Sequence, residues 1–303
     1  MIETFRKLGS NRGFQMKELY CLTKESRQNH HQKLARSESK EIQEEDLALL
    51  VSMYRIDHPR MGSRQLYKTM SNNGEQIGMG ITKFEQFMSR KGLTIPVKRT
   101  KKPKTSDGKG KGAYPNLTNG LELNGPDQLI VADITYYDLS ESRCYIFTLK
   151  DVYTQAFIAL VVSKNMKAIN ALECLKRMQE FRGMTCFIGC IHHSDHGSQY
   201  DSKDYRLLLK QMSMLISRAD NCLQNGSAEQ MNHVVKNMYL DPWEPTTFEE
   251  LEKACARLVE LNNNHRAIKQ LGDRCPIEFE KWVLSVPEEE RPIKKMYDFN
   301  EWN

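Results

Sequence analysis

The sequence lacks the features of several protein classes. Its eight cysteines are scattered without a C-x-x-C pair, so neither a disulfide framework nor a standard zinc ribbon is indicated. Cys186, Cys190, His192 and His193 come closest to a zinc pattern, but alternation along one short strand would split them between opposite faces. No run approaches the ~20 apolar residues of a membrane span, and residues 1–5 do not begin a signal peptide. These absences favour an intracellular protein that is not inserted in a membrane.

Length and charge indicate several domains with different partners. A chain of 303 residues is longer than a single hydrophobic core usually serves, which suggests two or three domains. Its 39% hydrophobic content is typical of a soluble protein. Residues 1–120 contain 23 Lys and Arg against 12 Asp and Glu, a net charge of +11, whereas residues 121–303 carry a net charge of −6. Because neutralising phosphates releases counterions, the basic third is predicted to face nucleic acid.

The basic third contains helical patterns followed by a polar linker. Residues 1–38 are predicted as an amino-terminal helical region, and residues 39–95 as three helices resembling a helix-turn-helix, with Ser63 and Ile81 opening the second and third. The alternative is a small bundle that only packs on its neighbours. Residues 96–120 cannot bury a core and are predicted to be a flexible basic linker along DNA, or else a solvated hinge. Its candidate DNA-binding residues are Lys98, Arg99, Lys101, Lys102 and Lys104.

The acidic part, residues 121–285, is predicted to be an α/β domain, followed by a tail at 286–303. Three apolar runs with short connections, starting near residues 128, 143 and 156, are typical of an antiparallel meander. A helix from 167, a strand at 187–192, a helix from 202, a brief strand at 214–216, and helices from 227 and 247 follow. The order βββαβαβα predicts a mixed sheet flanked by helices.

Three carboxylates stand in distinct local contexts. Asp133 and Asp195 follow or close apolar runs, and Glu229 opens a helix, so the three acids could converge at one end of the sheet. Carboxylates that meet in an apolar environment repel one another unless divalent cations neutralise them. The pattern therefore predicts a metal-dependent phosphoryl-transfer site. Other nearby acids, Asp138, Asp151 and Asp201, are interpreted as structural residues in turn or surface positions.

Several further side chains are candidates for DNA contact or structural support. His233 and Lys236 follow Glu229 by four and seven residues and would share its face on an α-helix. Lys236 is predicted to hold a DNA phosphate, and His233 is a second candidate. Arg266 is predicted either to contact DNA or to cap the last long helix. His192 and His193 are predicted to have structural roles.

The residues around these acids resemble a known family. The strings D-I-T-Y from Asp133, H-S-D-H-G-S-Q-Y from His193, N-G-S-A-E ending at Glu229, and N-N-H-R ending at Arg266 are similar to the catalytic core of insertion-sequence transposases. More narrowly, they resemble the OrfB-type subunit, with a retroviral-integrase core and a DDE triad. The resemblance covers residues 121–280.

The resemblance implies a fold, a cofactor and partners. It implies an RNase H-like fold in which Asp133, Asp195 and Glu229 bind two Mg²⁺ or Mn²⁺ ions and catalyse DNA strand cleavage and strand transfer. The substrates would be double-stranded element ends and target DNA, bound by a homo-oligomer. An upstream helix-turn-helix and coiled-coil subunit would be fused to this chain or partnered with it, and the protein would act in the bacterial cytoplasm at the nucleoid.

Two other functions remain open from the sequence. A catalytically inactive, element-derived regulator would use the basic amino-terminal third to occupy DNA without chemistry. A ribonuclease H acting on RNA–DNA hybrids would keep the metal ions, but it would not explain the helix-turn-helix.

Overall fold

The computed structural model describes residues 20–21, 24, 26–96, 114–140, 142–219 and 226–298, and it comprises two units, residues 1–53 and 54–303. All five candidate DNA-binding residues of the predicted linker lie outside the described residues. In the first unit, helix α1 (Arg27–Asp57) begins where Ser26 Oγ accepts a 3.1 Å hydrogen bond from Asn29 N. This helix of 31 residues passes through residue 38 without a break and ends in the second unit. The predicted domain boundaries stay predictions.

Two short helices open the second unit after α1. Helix α2 (Ser63–Asn72) and helix α3 (Ile81–Arg90) begin at the predicted residues. Leu66, Met70, Phe84 and Phe87 on their apolar faces are buried. Helix α2 is bonded to the carboxyl-terminal part of the same unit, since Gln65 Nε2 donates to the Ala267 carbonyl at 2.6 Å.

A five-stranded mixed sheet forms the centre of the second unit. Strands β2 (Leu129–Asp138), β3 (Arg143–Asp151) and β4 (Phe157–Ser163) form the predicted antiparallel meander. Strands β5 (Ile191–Ser194) and β6 (Leu215–Arg218) add to it in parallel, so that the order is β4-β3-β2-β5-β6. Strand β1 (Glu122–Leu123) pairs separately with β7 (Lys294–Lys295).

Helices cover both faces of this sheet. Helices α4 (Ala168–Arg182) and α5 (Lys203–Gln211) pack on the face that includes Ile130. Helices α6 (Gly226–Asn232), α8 (Phe248–Asn264) and α9 (Pro276–Ser285) pack on the face that includes Val131. Alternate residues of β2 thus enter two separate cores, which explains why its sequence is a continuous apolar run. This is the predicted RNase H-like α/β architecture.

The remaining elements are short. Helix α7 (Asp241–Trp243) precedes α8, and 3₁₀ turns lie at Lys269–Leu271 and Glu288–Glu290. Within the described residues, no helix combines the length and the apolar character needed to cross a membrane.

Two predicted elements differ from the structure. The strand predicted at 187–192 begins only at Ile191, because Gly189 has a φ of +79° and the Cys190 N–H donates to the Phe187 carbonyl in a turn. The helix predicted from residue 227 to 240 is α-helical only as far as Asn232. It continues as a π-helix over His233–Leu240, whose hydrogen bonds span five residues instead of four.

Candidate active site

Asp133 and Asp195 lie at the carboxyl ends of two neighbouring strands. The parallel pairing of β2 with β5 aligns Ile130 with His192 and Val131 with His193. The paired residues end at Val131 and His193, and Asp133 and Asp195 each lie two residues further along their segments, Asp195 directly after β5. Continuing the same register would place Asp133 beside Asp195, because paired strands lie about 4.8 Å apart.

Helix α6 brings Glu229 to the same side of the sheet. Asp133 alternates with Ala132 and therefore projects to the Val131 face, on which Ala228 and Met231 of α6 are buried. At the end of this helix, Asn232 Nδ2 donates a 2.5 Å hydrogen bond to Asp133 Oδ2. Glu229 precedes Asn232 by three residues and so shares its helical face.

The carboxylates interact electrostatically. The pKa of Asp133 is raised to about 6, chiefly by burial; the hydrogen bond from Asn232 opposes the rise, and the negative charges of Asp195 and Glu229 add to it. Asp195 and Glu229 are exposed. Asp195 and Glu229 are thus both near enough to Asp133 for their charges to affect its pKa.

The donor chemistry of this neighbourhood suits a hard divalent cation, because its groups are carboxylate oxygens and the most buried one is repelled by its neighbours. Across the described stretches, however, no three His, Cys, Asp or Glu side chains are close enough together to hold a metal ion. The three acids thus fit a metal by the chemistry of their oxygen atoms, while their side chains are not close enough together to form a complete set of ligands.

A tight turn supports Asp195. Its Oδ1 accepts a 3.0 Å hydrogen bond from the Gly197 N–H, and the Tyr200 N–H donates to the Gly197 carbonyl at 3.0 Å. A Cβ atom at Gly197 would lie 3.0 Å from Asp195 Oδ1 and 3.1 Å from Gln199 Oε1. Glycine is therefore the residue that lets this turn close against the carboxylate.

The predicted neighbours of Glu229 lie in the π-helix. The helix type changes at His233, so the α-helical spacing on which the shared face of Glu229, His233 and Lys236 was predicted does not continue to Lys236, and the shared face stays a prediction. Lys236 Nζ lies 4.4 Å from the centre of the Tyr136 ring, and His233 Nδ1 is 2.8 Å from Asn237 Nδ2 on the same helix. Both Tyr136 and His233 are exposed.

Arg266 lies away from this surface. It is half-buried, its guanidinium donates to Asn262 Oδ1 at 3.0 Å, and burial lowers its pKa. Its second described contact is with Met238 Sδ at 3.4 Å.

The other candidate acids form ion pairs within the fold. Asp138 pairs with Arg143 at 2.6 Å, and Asp201 pairs with Arg218 at 3.2 Å. The surface position considered for Asp151 is wrong, because this residue is fully buried. Its Oδ1 accepts a bond from Thr154 N and its Oδ2 one from Asp127 N, so it closes the turn after β3 from inside.

Both histidines before Asp195 are buried and hydrogen bonded. His192 Nε2 is 2.8 Å from the Tyr205 hydroxyl, and His193 Nδ1 is 2.9 Å from Ser217 Oγ. Burial lowers the pKa of His192 to about 3, so this ring is neutral at physiological pH. These contacts attach β5 to α5 and to β6.

Comparison with known proteins gives the family context of this geometry. Residues 124–221 match the family model described as integrase core domain. The chain is 28% identical over 223 residues to the insertion element IS600 uncharacterized 31 kDa protein of Shigella sonnei, a match that covers 72% of this chain and 80% of that protein. It is 27% identical over 231 residues to the transposase for insertion sequence element IS629 of Shigella sonnei, covering 76% of each chain. The chain is therefore similar to insertion-sequence transposases, and residues 124–221 are similar to the integrase core domain.

Among solved structures, the catalytic core domain of HTLV-2 integrase in complex with magnesium (trimeric form) aligns with a TM-score of 0.42 and 15% identity, over 52% of this chain and 97% of that one. The integrase core match, at residues 124–221, includes Asp133, Asp195 and Arg218 and ends before Glu229.

Two residues beside the acids were not predicted from the sequence. Asn232, which bonds Asp133, could have been found from its spacing of three residues after Glu229. Arg218, the last residue of β6, has no such local signal, because its partners lie 17 to 24 residues away in the sequence.

Proposed function

We propose that this chain is a DDE transposase that cleaves DNA strands and transfers the freed ends to target DNA, in a reaction that depends on divalent metal ions. The observation that carries the proposal is the parallel pairing of β2 with β5, which would bring Asp133 beside Asp195 if the register continues by two residues, together with the charges of Asp195 and Glu229 that raise the pKa of Asp133. The match to the integrase core domain and the relatedness to insertion-sequence transposases support the same activity.

Asp133, Asp195 and Glu229 would hold two Mg²⁺ or Mn²⁺ ions. When bound, such ions activate the attacking oxygen and stabilise the leaving oxygen of a phosphodiester. The role of this chain would be to position the ions: β2 would supply Asp133, the turn after β5 Asp195 and α6 Glu229, while Asn232 donates to Asp133 Oδ2. No covalent bond between enzyme and DNA is required for this chemistry.

DNA would be held by basic residues on either side of this centre. Lys236 has no carboxylate at ion-pair distance among the described residues, so its charge is available for a phosphate near Asp133. His233 and Arg266 are weaker candidates, and Arg266 would first have to leave its bond to Asn262. Helices α2 and α3 and the basic residues 98–104 would also bind DNA, consistent with the net charge of +11 on residues 1–120.

Assembly on DNA is part of the proposal. Protomers of this chain would pair two element ends, and an upstream helix-turn-helix and coiled-coil subunit would read those ends. The protein would act at the bacterial nucleoid. The domain limits at residues 38, 95, 120 and 285 are proposed with it.

The test is strand cleavage by the purified chain, alone and joined to the product of the overlapping upstream frame. The substrate is a duplex with the terminal inverted repeats found in the DNA that flanks the gene. We expect nicking and strand joining with Mg²⁺ or Mn²⁺ and none with EDTA. Asp195→Asn should abolish both reactions while DNA binding in a mobility-shift assay is unchanged.

Asp204→Asn is the matched control, because this acid is exposed in the first turn of α5, on the segment that follows Asp195. It should cleave like the wild type. A wild-type protein that binds the element ends but never cuts them with either metal would refute the proposal and favour the regulator that blocks transposition.

A further inference from the structure

Arg218 is a buried arginine at the carboxyl end of β6. Only 1% of its side chain is exposed. Removing a guanidinium from water is costly unless its N–H groups find acceptors. The acceptors that this side chain finds are therefore informative about its role.

The acceptors of Arg218 lie on both sides of Asp195. Nη1 donates to Ser194 Oγ, directly before Asp195. Nη2 donates to the Tyr200 carbonyl at 2.8 Å and to Asp201 Oδ1 at 3.2 Å, after the turn. One planar group thus joins the two ends of the segment 195–199, which the five fixed N–H groups of arginine permit and the point charge of lysine does not.

The bond to Ser194 continues to Asp195. Ser194 Oγ donates to the Asp195 carbonyl at 3.1 Å, so Arg218, Ser194 and the Asp195 backbone form one chain of hydrogen bonds. The strands reinforce it, because Ser194 pairs with Arg218 in the β5–β6 register and the Ala219 N–H donates to the Ser194 carbonyl at 3.0 Å.

We infer that Arg218 is a positioning residue that holds the Asp195 segment in the geometry needed to bind a divalent cation. The inference rests on the proposed function, since it assigns to Asp195 the role of a metal ligand. Arg218 itself would touch neither the metal nor the DNA. Without Arg218, the two ends of segment 195–199 would separate, and the Asp195 carboxylate would spend less time oriented toward Asp133.

The test is Mn²⁺ binding to the intact chain without DNA, measured from the loss of the electron paramagnetic resonance signal of free Mn²⁺. Residues that orient metal ligands typically change affinity by 10–100-fold, so we expect Arg218→Gln to weaken Mn²⁺ binding roughly tenfold. Arg218→Lys should give little rescue. Hydrogen exchange of residues 195–201 should become faster in both variants.

Arg182→Gln is the matched control. Arg182 is also a buried arginine, 8% exposed, with partners Asp127 at 2.9 Å and Glu280 at 2.5 Å. Asp127 precedes β2 and so lies at the end of that strand remote from Asp133. Loss of either arginine should lower stability, but only the Arg218 variants should lose Mn²⁺ affinity in samples that are folded by circular dichroism.

Ser194→Ala provides a second variant in case Arg218→Gln does not fold. This substitution removes one acceptor of Arg218 and the hydrogen bond to the Asp195 carbonyl. It should weaken Mn²⁺ binding about threefold, which is part of the roughly tenfold effect expected for loss of the positioning residue.

Equal Mn²⁺ affinity in wild type, Arg218→Gln and Ser194→Ala would overturn the inference alone, as would an equal loss in Arg182→Gln. A wild type that binds no Mn²⁺ would overturn both this inference and the metal dependence of the proposed function. Arg218-dependent Mn²⁺ binding without any DNA cleavage would overturn only the proposed function.

Discussion

Replacing Asn232 by alanine tests whether α6 and β2 act together at the candidate site. The side-chain amide of Asn232 donates to Asp133 Oδ2 at 2.5 Å, and it is the described hydrogen bond that links the helix of Glu229 to the strand of Asp133. Asn232→Ala removes that donor and leaves the helix intact, because alanine has the higher helix propensity.

The magnitude follows from the kind of bond. A hydrogen bond to a charged group contributes about 1.5–3 kcal/mol, more than the ~1 kcal/mol of a neutral pair. If the bond orders Asp133 for the reaction, its loss raises the barrier by about that amount, and each ~1.4 kcal/mol is a factor of ten in rate. We therefore expect single-turnover cleavage to be roughly 10- to 100-fold slower.

The assay measures cleavage of an element-end duplex under single-turnover conditions at saturating Mn²⁺, with DNA affinity measured separately. Asn237→Ala is the control, because Asn237 lies on the continuing π-helix and bonds His233, whose ring is exposed. Its rate should stay within about twofold of wild type, since it makes no bond to a carboxylate. Unchanged cleavage by Asn232→Ala, or an equal loss in both variants, would refute this reasoning.

Two further predictions concern the Asp195 turn and the core. Gly197→Ala places a Cβ atom 3.0 Å from Asp195 Oδ1, so the rate of cleavage should fall about tenfold with little change in melting temperature. Cleavage at the wild-type rate would contradict the proposed role of this turn in positioning Asp195. Burial lowers the pKa of Lys150 from 10.5 to about 7, so the folded protein carries a buried positive charge below pH 7. The buried amine lowers the free energy of unfolding most below pH 7, and this destabilisation shrinks as the pH rises from 7 toward 10.5. Lys150→Met should therefore raise the free energy of unfolding in urea by on the order of 3 kcal/mol at pH 6 and by less at pH 9, and an equal gain at both pH values would argue against a buried charged amine.

The meander and most helices could be predicted because their signals are local. Runs of apolar residues with short connections predict β2, β3 and β4, and helices α2 and α3 begin after Gly62 and Gly80, which break the preceding pattern. The start of β5 could not be predicted, since Phe187 and Ile188 continue an apolar run even though Ile188 is 87% exposed in a turn. The π-helix was missed because apolar spacing alone does not distinguish it from an α-helix.

The sequence by itself indicated which residues are candidates for the chemistry, and it predicted the order of the elements that bear them. Asp133, Asp195 and Glu229 could be selected from local context, because a strand end or a helix start depends on nearby residues. Only the tertiary structure decided that β5 lies beside β2, and that Val131 pairs with His193, two residues before Asp133 and Asp195. It also decided that Asn232 bonds Asp133 across 99 residues of sequence and that Arg218 bonds Ser194 across 24. The physical reason is that parallel pairing and buried polar contacts depend on how two separate cores pack on one sheet, and no short segment of the chain encodes that packing.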